Sequence, residues 1–195
     1  NKVMKKVLGK PLINYLLERV STAEKVDHII LATTTKTEDD LLVKHVTSLG
    51  YDVFRGSEND LLDRYYQAAK KYKAEYVVRL TGDDPLTDPV LIDRMIKKMR
   101  FEKCAAVTNS VIPTYPEGLD VEVFRFSALE KANAEATLES EREHVTPYIW
   151  KNRAKFKSLN LEMTPNLSDW RWTVDKPEDL EFVRSLLSLA GNDIS

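Results

Sequence analysis

Cysteine is nearly absent from this sequence, since Cys104 is the only one among 195 residues. A single thiol excludes an internal disulfide and a cysteine-rich metal cluster. Cys104 lies in the apolar run CAAVTNSV, a setting that favours a buried strand residue over a reactive thiol. No hydrophobic run reaches the roughly 20 residues that a transmembrane helix needs, and no signal peptide opens the chain. We therefore expect a cytoplasmic protein with no membrane partner.

The sequence also lacks an excess of charge of either sign, with a formal net charge of −2. Nucleic-acid-binding domains carry a basic face or stripe, whereas the lysine pairs at 70–71 and 97–98 fit solvated helix faces. We therefore expect no nucleic-acid partner. Familiar catalytic signatures are missing as well: the chain has no P-loop, no HExxH zinc motif, no nucleophile elbow and no glycine-rich dinucleotide fingerprint.

Short β-rich runs alternate with helical patterns over the first 110 residues. Strand patterns lie at residues 28–34, 51–55, 76–80 and 104–109, and helical patterns at residues 12–20 and 38–48, from 59 and from 89. Asp88 and Pro89 have the residue types of a helix cap and of a first helical position. Alternation of this kind predicts an α/β fold, in which helices cover both faces of a parallel sheet.

The second half of the chain is more irregular, with a turn-rich stretch after residue 110. It contains predicted helices at 126–136, 141–150 and 177–189, and predicted strands at 156–162 and 170–174. We interpret it as an elaboration that returns to complete the sheet. Without repeats or low-complexity linkers, residues 1–195 are predicted to form a single domain, in which residues 111–150 form a dimerisation or acceptor-binding elaboration.

The segment RLTGDDPLTDP, residues 79–89, carries the strongest chemical signal. Asp83 and Asp84 stand directly after a hydrophobic strand, at the edge where open α/β sheets bind ligands. Mg²⁺ takes one or two carboxylates and completes its shell with water and substrate phosphates. The alternative is an ordinary turn, because Gly and Asp are common at strand ends for conformational reasons alone.

Asp175 and Lys2 are two further candidates. Asp175 opens the segment DKPEDLEF, so it could cap a helix, or it could reach Asp83 and hold a cation with it. Lys2 could neutralise a triphosphate as a point charge, or it could be one of several surface lysines near the start of the chain.

Two loops after predicted strands would face the same crevice. Thr33 ends the first of these strands and Gly56 ends the second, and Arg64 follows in the next helix. Ordinary loop chemistry is the alternative for both loops. His144, in the polar group Glu141–His144, has a side chain that titrates near neutrality, but a lone histidine on a helix is more often structural or exposed.

Seven ordered segments together resemble the spore coat polysaccharide biosynthesis cytidylyltransferase-like family, a branch of the enzymes that make CMP-activated acidic sugars. The resemblance covers nearly the whole chain and implies a Rossmann-like three-layer α/β/α fold, the nucleotide-diphospho-sugar transferase fold. The segments are GKPLINYLLERV, IILATTT, RGSENDLLDRYYQAA, RLTGDDPLTDP, YPEGLDVEVF, SEREHVTPYI and RWTVDKPEDLEF.

The resemblance assigns roles to individual positions. Asp83 and Asp175 match the family's two metal-binding acids, and Lys2 is similar to the last lysine of its opening phosphate loop. Glu143 and His144 lie in the region that addresses the acceptor in related enzymes. The nucleotide-binding set implied in this way is Lys2, Thr33, Gly56, Arg64 and Thr81. The family's first strand and nearly all of its phosphate loop have no counterpart in this sequence. We expect these two elements to be missing from the front of the chain.

These roles imply a cytidylyltransferase that depends on Mg²⁺. CMP would pass from CTP to a sugar acid or to a phosphorylated sugar or polyol, with release of pyrophosphate, in surface polysaccharide biosynthesis. The resemblance also implies a homodimer. Two alternatives remain open: a metal-dependent glycosyltransferase of similar fold, and a non-catalytic nucleotide-binding module.

Overall fold

The structure is a computed structural model that describes residues 2–190. Two short 3-10 helices, Lys2–Met4 and Thr37–Asp39, accompany the main elements. In chain order the strands and helices are β1 (Lys6–Val7), β2 (Lys10–Pro11), α1 (Leu12–Val20), β3 (Ile30–Thr34), α2 (Asp40–Ser48), β4 (Asp52–Gly56), α3 (Leu61–Lys71), β5 (Tyr76–Arg79), α4 (Pro89–Glu102), β6 (Ala106–Thr108), β7 (Glu122–Arg125), α5 (Phe126–Glu135), α6 (Glu139–His144), α7 (Pro147–Lys151), β8 (Ser158–Asn160) and α8 (Pro177–Ala190).

The strands form a parallel pair, a four-stranded sheet and a small hairpin. β3 pairs with β4 in parallel, so that Thr34 lies opposite Gly56 and both strands end at the same edge. The larger sheet has the order β5-β7-β6-β8, with β6 and β8 parallel. β7 runs antiparallel to both of its neighbours, because a loop without a crossover helix connects it to β6. β1 and β2 form the hairpin.

Helix boundaries follow the predicted caps closely. The side chain of Asp88 accepts a hydrogen bond from the Val90 amide at 2.8 Å, and Pro89 occupies the first position of α4. The side chain of Asp60 caps α3 in the same way, accepting from the Asp63 amide at 2.9 Å. Cys104 is fully buried, as its apolar setting predicts.

Two predicted elements differ from the structure. The helix predicted over 141–150 is divided into α6 and α7, because Val145 has a φ of +70° and Pro147 starts a new helix. The strand predicted over 170–174 is absent from the described residues, and that segment makes a single bridge, between Glu117 and Arg171. Both segments obtain their conformation from tertiary contacts that a periodic pattern does not contain.

A cleft of about 580 Å³ separates β3 from β5. Apolar side chains of these two strands and of α1 and α3 form much of its lining, together with charged groups that include Lys25, Asp27 and Arg100. Among the described residues, no ladder of hydrogen bonds joins β3 to β5, since the two strands belong to different sheets. Among residues 2–190, β3 and β4 thus form a ladder separate from that of the four-stranded sheet. Over the part of the chain described, no helix combines the length and the apolar character needed to cross a bilayer.

Candidate active site

The carboxylates of Asp83 and Asp175 meet at one cation, the ammonium group of Lys2. The Lys2 Nζ atom lies 2.7 Å from Asp83 Oδ2 and 2.7 Å from Asp175 Oδ1. The two acids are 92 positions apart in the sequence, yet one oxygen of each contacts the same nitrogen atom. Both side chains keep contact with solvent, with 25% and 45% of their surface exposed. The pair predicted from sequence is thus assembled at a solvent-accessible position.

Backbone contacts bring these two distant segments together. The Val174 amide donates a hydrogen bond to the carbonyl oxygen of Asp83 at 2.9 Å. The hydroxyl of Thr173 lies 3.5 Å from the same oxygen. Because Asp175 follows directly, its side chain is carried to the position beside Asp83.

A tight turn at Gly118 supports the segment that leads to Asp175. The amide of Trp172 donates to the carbonyl of Glu117 at 2.7 Å, and the amide of Glu117 donates to the carbonyl of Trp170 at 2.9 Å. Gly118 has a φ of +101°, and a Cβ atom there would lie 2.4 Å from the backbone nitrogen of Thr173. Only glycine, which has no Cβ atom, allows the backbone of residue 118 to lie this close to Thr173. Steric exclusion therefore explains the glycine of the motif YPEGLDVEVF.

Arg171 organises the charges around Asp175. Its guanidinium donates to Asp175 Oδ2 at 2.5 Å, to Glu117 at 2.5 Å and to Asp179 at 3.1 Å. The hydrogen bond from Lys2 is the main cause that lowers the pKa of Asp175, and the bond from Arg171 adds to it against the opposing effect of burial. Asp175 is therefore held ionised, with one oxygen on Lys2 and the other on Arg171.

The start of α8 depends on Asp179 rather than on the carboxylate of Asp175. Oδ2 of Asp179 accepts hydrogen bonds from the amides of Asp175 and Lys176 at 2.9 and 2.8 Å. This is the reach-back half of a capping box. Burial raises the pKa of Asp179, but the bonds from these two amides and from Arg171 outweigh it and hold the pKa at about 2. In this structure the side chain of Asp175 is thus left to bind cations.

Asp84 and Thr81 are joined to each other by a side-chain hydrogen bond. Asp84 is 3% exposed and accepts a short hydrogen bond from the Thr81 hydroxyl. Burial raises the pKa of Asp84 to about 6, although hydrogen bonds from the hydroxyls of Thr81 and Thr173 oppose the rise. The two adjacent acids therefore differ: Asp83 faces the cation and Asp84 fixes the turn from inside.

Two convergent carboxylates are a suitable but incomplete ligand set for Mg²⁺. Among residues 2–190, no group of three His, Cys, Asp or Glu side chains lies close enough to hold a metal ion. Mg²⁺ commonly uses one or two protein carboxylates and obtains its other ligands from water and phosphates. The side chains of Asp83 and Asp175 fit that kind of site, since they already share one positive group.

A second polar cluster stands at the ends of β3 and β4. The hydroxyl of Thr33 donates to Asp39 at 2.7 Å, and the Thr34 amide donates to the same oxygen at 3.1 Å. The side chain of Arg64 covers Gly56, where a Cβ atom would meet Arg64 Cγ at 3.0 Å. Arg64 donates to the Ser57 carbonyl at 2.8 Å, while its buried Nε has no hydrogen-bond partner among the described residues.

Glu143 and His144 lie on the exposed side of α6. Their side chains are 68% and 62% exposed and 3.9 Å apart. None of the hydrogen bonds or ion pairs found among residues 2–190 links either of them to Asp83 or Asp175. Their neighbour Arg142 instead ties α6 to α3, through a bond to Asp60 at 2.7 Å.

Sequence reasoning missed Arg171, Asp179 and the role of Gly118. A signal for the first two exists, because Arg171, Asp175 and Asp179 recur at intervals of four. That spacing places charged groups on one face of a helix, whereas here only Asp179 lies within α8. The spacing acquires a structural meaning only in the folded chain, where the loop that carries Arg171 brings its guanidinium to Asp175 and Asp179.

Comparison with known proteins finds relatives over nearly the whole chain. A family model described as Cytidylyltransferase matches residues 1–190. An uncharacterized protein of Methanocaldococcus jannaschii is 43% identical over 188 residues, which cover 95% of this chain and 76% of that protein. The spore coat polysaccharide biosynthesis protein SpsF of Bacillus subtilis is 33% identical over 197 aligned residues, covering 97% of this chain and 81% of its own length.

A solved structure is similar over almost the whole chain. The structure of a cytidylyltransferase from Leptospira borgpetersenii superposes with a TM-score of 0.92 at 34% identity, covering 96% of this chain and 80% of that one. The predicted Rossmann-like α/β/α fold and the resemblance to the spore coat polysaccharide family are thereby confirmed. With its matching model, its relatives and its fold in agreement, the chain belongs to the cytidylyltransferase family of nucleotidyltransferases.

Proposed function

We propose that this protein transfers CMP from CTP to a sugar acid, or to a phosphorylated sugar or polyol, in surface polysaccharide biosynthesis. The observation that carries the proposal is the convergence of Asp83 and Asp175 on a single positive group. Membership of the cytidylyltransferase family supports the choice of nucleotide. Similarity to a protein of spore coat polysaccharide biosynthesis supports the choice of process.

Asp83 and Asp175 would hold Mg²⁺ at the phosphates of the nucleotide. The bound ion would neutralise phosphate charge and act as a Lewis acid. Arg171 and Asp179 fix the position of Asp175, so that its Oδ1 atom is directed to the same cation as Asp83. Lys2 would supply a further positive charge to the phosphates.

In the reaction, an acceptor oxygen attacks the α-phosphorus of CTP and forms the new P–O bond. The bond from the α-phosphorus to the bridging oxygen breaks, and pyrophosphate leaves with that electron pair. An acceptor that is already a carboxylate or a phosphate needs no protein base. Catalysis is then mainly positioning and charge stabilisation, which agrees with a site rich in oriented charges.

The nucleotide and the acceptor would contact different parts of the chain. We assign the base and ribose to the cluster of Thr33, Gly56 and Arg64, with Thr81 near the phosphates. The buried Nε of Arg64, which has no partner in the part of the chain described, is a donor that a nucleotide could use. Glu143 and His144 are proposed for the acceptor, and their exposure leaves them accessible.

The decisive assay measures pyrophosphate release from each of the four NTPs with Mg²⁺ and candidate acceptors. We expect release with CTP, and a loss of about 10³-fold or more in Asp83→Asn and Asp175→Asn. Asp169→Asn removes an exposed acid six positions before Asp175 and should leave turnover unchanged. Circular dichroism confirms that each variant is folded.

Several results would contradict the proposal. Release with UTP or GTP and none with CTP would exclude cytidylyl transfer. Hydrolysis of a nucleotide sugar, with no pyrophosphate from CTP, would indicate a glycosyltransferase. Nucleotide binding without any turnover would indicate a non-catalytic module. Full turnover in Asp83→Asn would remove its metal-binding role.

We further propose a homodimer formed through residues 111–150. Exposed apolar side chains occur in this region, with Val111, Ile112 and Leu138 at 39%, 49% and 55% exposure. Apolar surface of this kind is covered in oligomers. Sedimentation at several concentrations tests the idea, and a monomer at every concentration would refute it.

A further inference from the structure

The ammonium group of Lys2 occupies the oxygens that a divalent cation would use. It binds Asp83 through Oδ2 and Asp175 through Oδ1, at 2.7 Å each. Arg171 does not compete for these atoms, because it binds the other oxygen of Asp175. Asp175 therefore has one oxygen on Arg171 and the other on Lys2, whereas Asp83 meets Lys2 through Oδ2.

The backbone at Lys2 is anchored, whereas the side chain has freedom to leave. Lys2 lies in the 3-10 helix Lys2–Met4, and its carbonyl accepts a hydrogen bond from the Lys5 amide at 3.1 Å. Val3 and Met4 pack against the hydrophobic core, and Val3 lies beside Gly82. The Lys2 side chain is 36% exposed and its four-carbon stem is flexible. Its ammonium group could move away from the acids without unfolding the segment.

We propose that Lys2 and a divalent cation are alternative occupants of the Asp83–Asp175 pair, so that metal binding releases Lys2 toward the phosphates. This inference rests on the proposed function. A divalent cation neutralises both carboxylates, after which a third positive charge within a few ångströms is repelled. The released ammonium is then free to pair with the phosphate groups that accompany the metal.

Two consequences follow for binding. Without nucleotide, Lys2 weakens metal binding, because the metal must displace the Lys2 ammonium group from both carboxylates. With nucleotide, the displaced lysine gains a new anionic partner, so metal and nucleotide bind more tightly together than separately. The coupling is reciprocal, as linkage requires. Lys2 thereby lowers the affinity of the acid pair for a free divalent ion in the absence of substrate.

The test measures direct binding of Mn²⁺, used as a paramagnetic substitute for Mg²⁺, to the full chain without nucleotide. Electron paramagnetic resonance of free Mn²⁺ gives the dissociation constant. We expect Lys2→Met to bind Mn²⁺ about tenfold more tightly than the wild type. Lys2→Arg keeps the charge and should resemble the wild type. Lys5→Met removes an exposed charge nearby and controls for the change in net charge.

Each outcome decides one of the two proposals. Equal Mn²⁺ affinity in Lys2→Met and the wild type, together with loss of binding in Asp83→Asn, would overturn the competition and leave the metal site intact. Weaker binding in Lys2→Met would also overturn it. If neither the wild type nor Lys2→Met binds Mn²⁺ at millimolar concentration, the proposed metal-dependent function itself fails. Thermal unfolding of each variant confirms that the fold is unchanged.

Discussion

The two polar clusters at the strand ends differ in how their hydrogen bonds are used. At the end of β3, Thr33 and Thr34 direct their hydroxyls to Asp39, and the cluster closes on itself. Beyond β5, Asp83 and Asp175 direct their oxygens to the ammonium group of Lys2 and remain partly exposed. The first arrangement fixes the loop after β3, whereas the second leaves carboxylate groups in contact with solvent.

This difference teaches that a polar residue at a strand end has no fixed role. Thr33 and Asp83 were selected from sequence by the same argument, that both follow strands at a binding edge. Their contacts separate them, since the carboxylate of Asp39 already accepts the Thr33 hydroxyl. The carboxylate of Asp83, in contrast, is paired with the flexible side chain of Lys2. The predictions below test this contrast, beginning with the largest expected effect.

Gly118→Ala should damage the acid pair most. Its Cβ atom would lie 2.4 Å from the backbone nitrogen of Thr173, so the segment leading to Asp175 must move. We expect turnover to fall by about 100-fold, because a shift near 1 Å has this effect on a reacting site. We expect stability to fall by about 2–4 kcal/mol, measured by urea denaturation.

Gly50→Ala is the matched control. Gly50 also has a positive φ, of +88°, but a Cβ atom there has no neighbour within 4 Å. It should cost about 1 kcal/mol of stability, the price of the left-handed conformation alone, and leave turnover unchanged. Similar losses of turnover in both variants would show that strain, and not the approach to Thr173, is responsible.

Arg171→Met should reduce turnover by about 10- to 100-fold while leaving the chain folded, because a group that orients a metal ligand has effects of this size. Its guanidinium holds Asp175, Glu117 and Asp179 together. The Mg²⁺ concentration at half-maximal rate should rise, a change that general destabilisation does not produce. Arg184→Met, which removes an exposed pair with Glu181, should behave as the wild type. Unchanged Mg²⁺ dependence in Arg171→Met would exclude the orienting role.

Asp39→Ala should affect stability rather than chemistry. The change leaves the hydroxyls of Thr33 and Thr34 without their acceptor, which costs about 1–3 kcal/mol. We expect turnover at saturating CTP to remain at the wild-type level. A loss of turnover as large as that of Arg171→Met would contradict the contrast between the two clusters.

The stabilising effect of Asp39 should also depend on pH. Burial raises the pKa of Asp39, but hydrogen bonds from the Thr34 and Thr33 hydroxyls and from the Thr34 amide outweigh it, so the pKa is lowered. A lowered pKa in the folded state gives stability above the ordinary aspartate value near 4, and the stability is lost as pH falls below it. The difference in unfolding free energy between wild type and Asp39→Ala should therefore shrink between about pH 5 and pH 3. A constant difference would argue against an ionised Asp39.

Much of the fold was predictable because its signals are local. Asp88 and Pro89 mark the start of α4, and alternating strand and helix patterns indicate the α/β class. The break between α6 and α7 was not predicted, although Pro147 stands at it, because the apolar pattern continues through Val145. The segment 170–174 has the composition of a strand, but its backbone pairs with a turn at Glu117 instead of with a sheet.

The site was predictable only in part, for a physical reason. Asp83 and Asp175 were chosen as candidates because their motifs are local and resemble those of a known family. Arg171 and Gly118 could not be assigned, since their roles exist only where the chain folds back on itself. The difference between Asp83 and its neighbour Asp84 also depends on the burial of Asp84, which the order of residues in the sequence does not reveal.

The backbone hydrogen bond between Val174 and Asp83 also bears on how the protein folds. It joins the segment that follows β5 to the segment that precedes α8, and these segments are far apart along the chain. Contacts of long sequence separation cost loop-closure entropy before they are rewarded, so they form slowly. We therefore expect the acid pair to be completed only after the two halves of the chain have come together, and a partly folded chain not to present it.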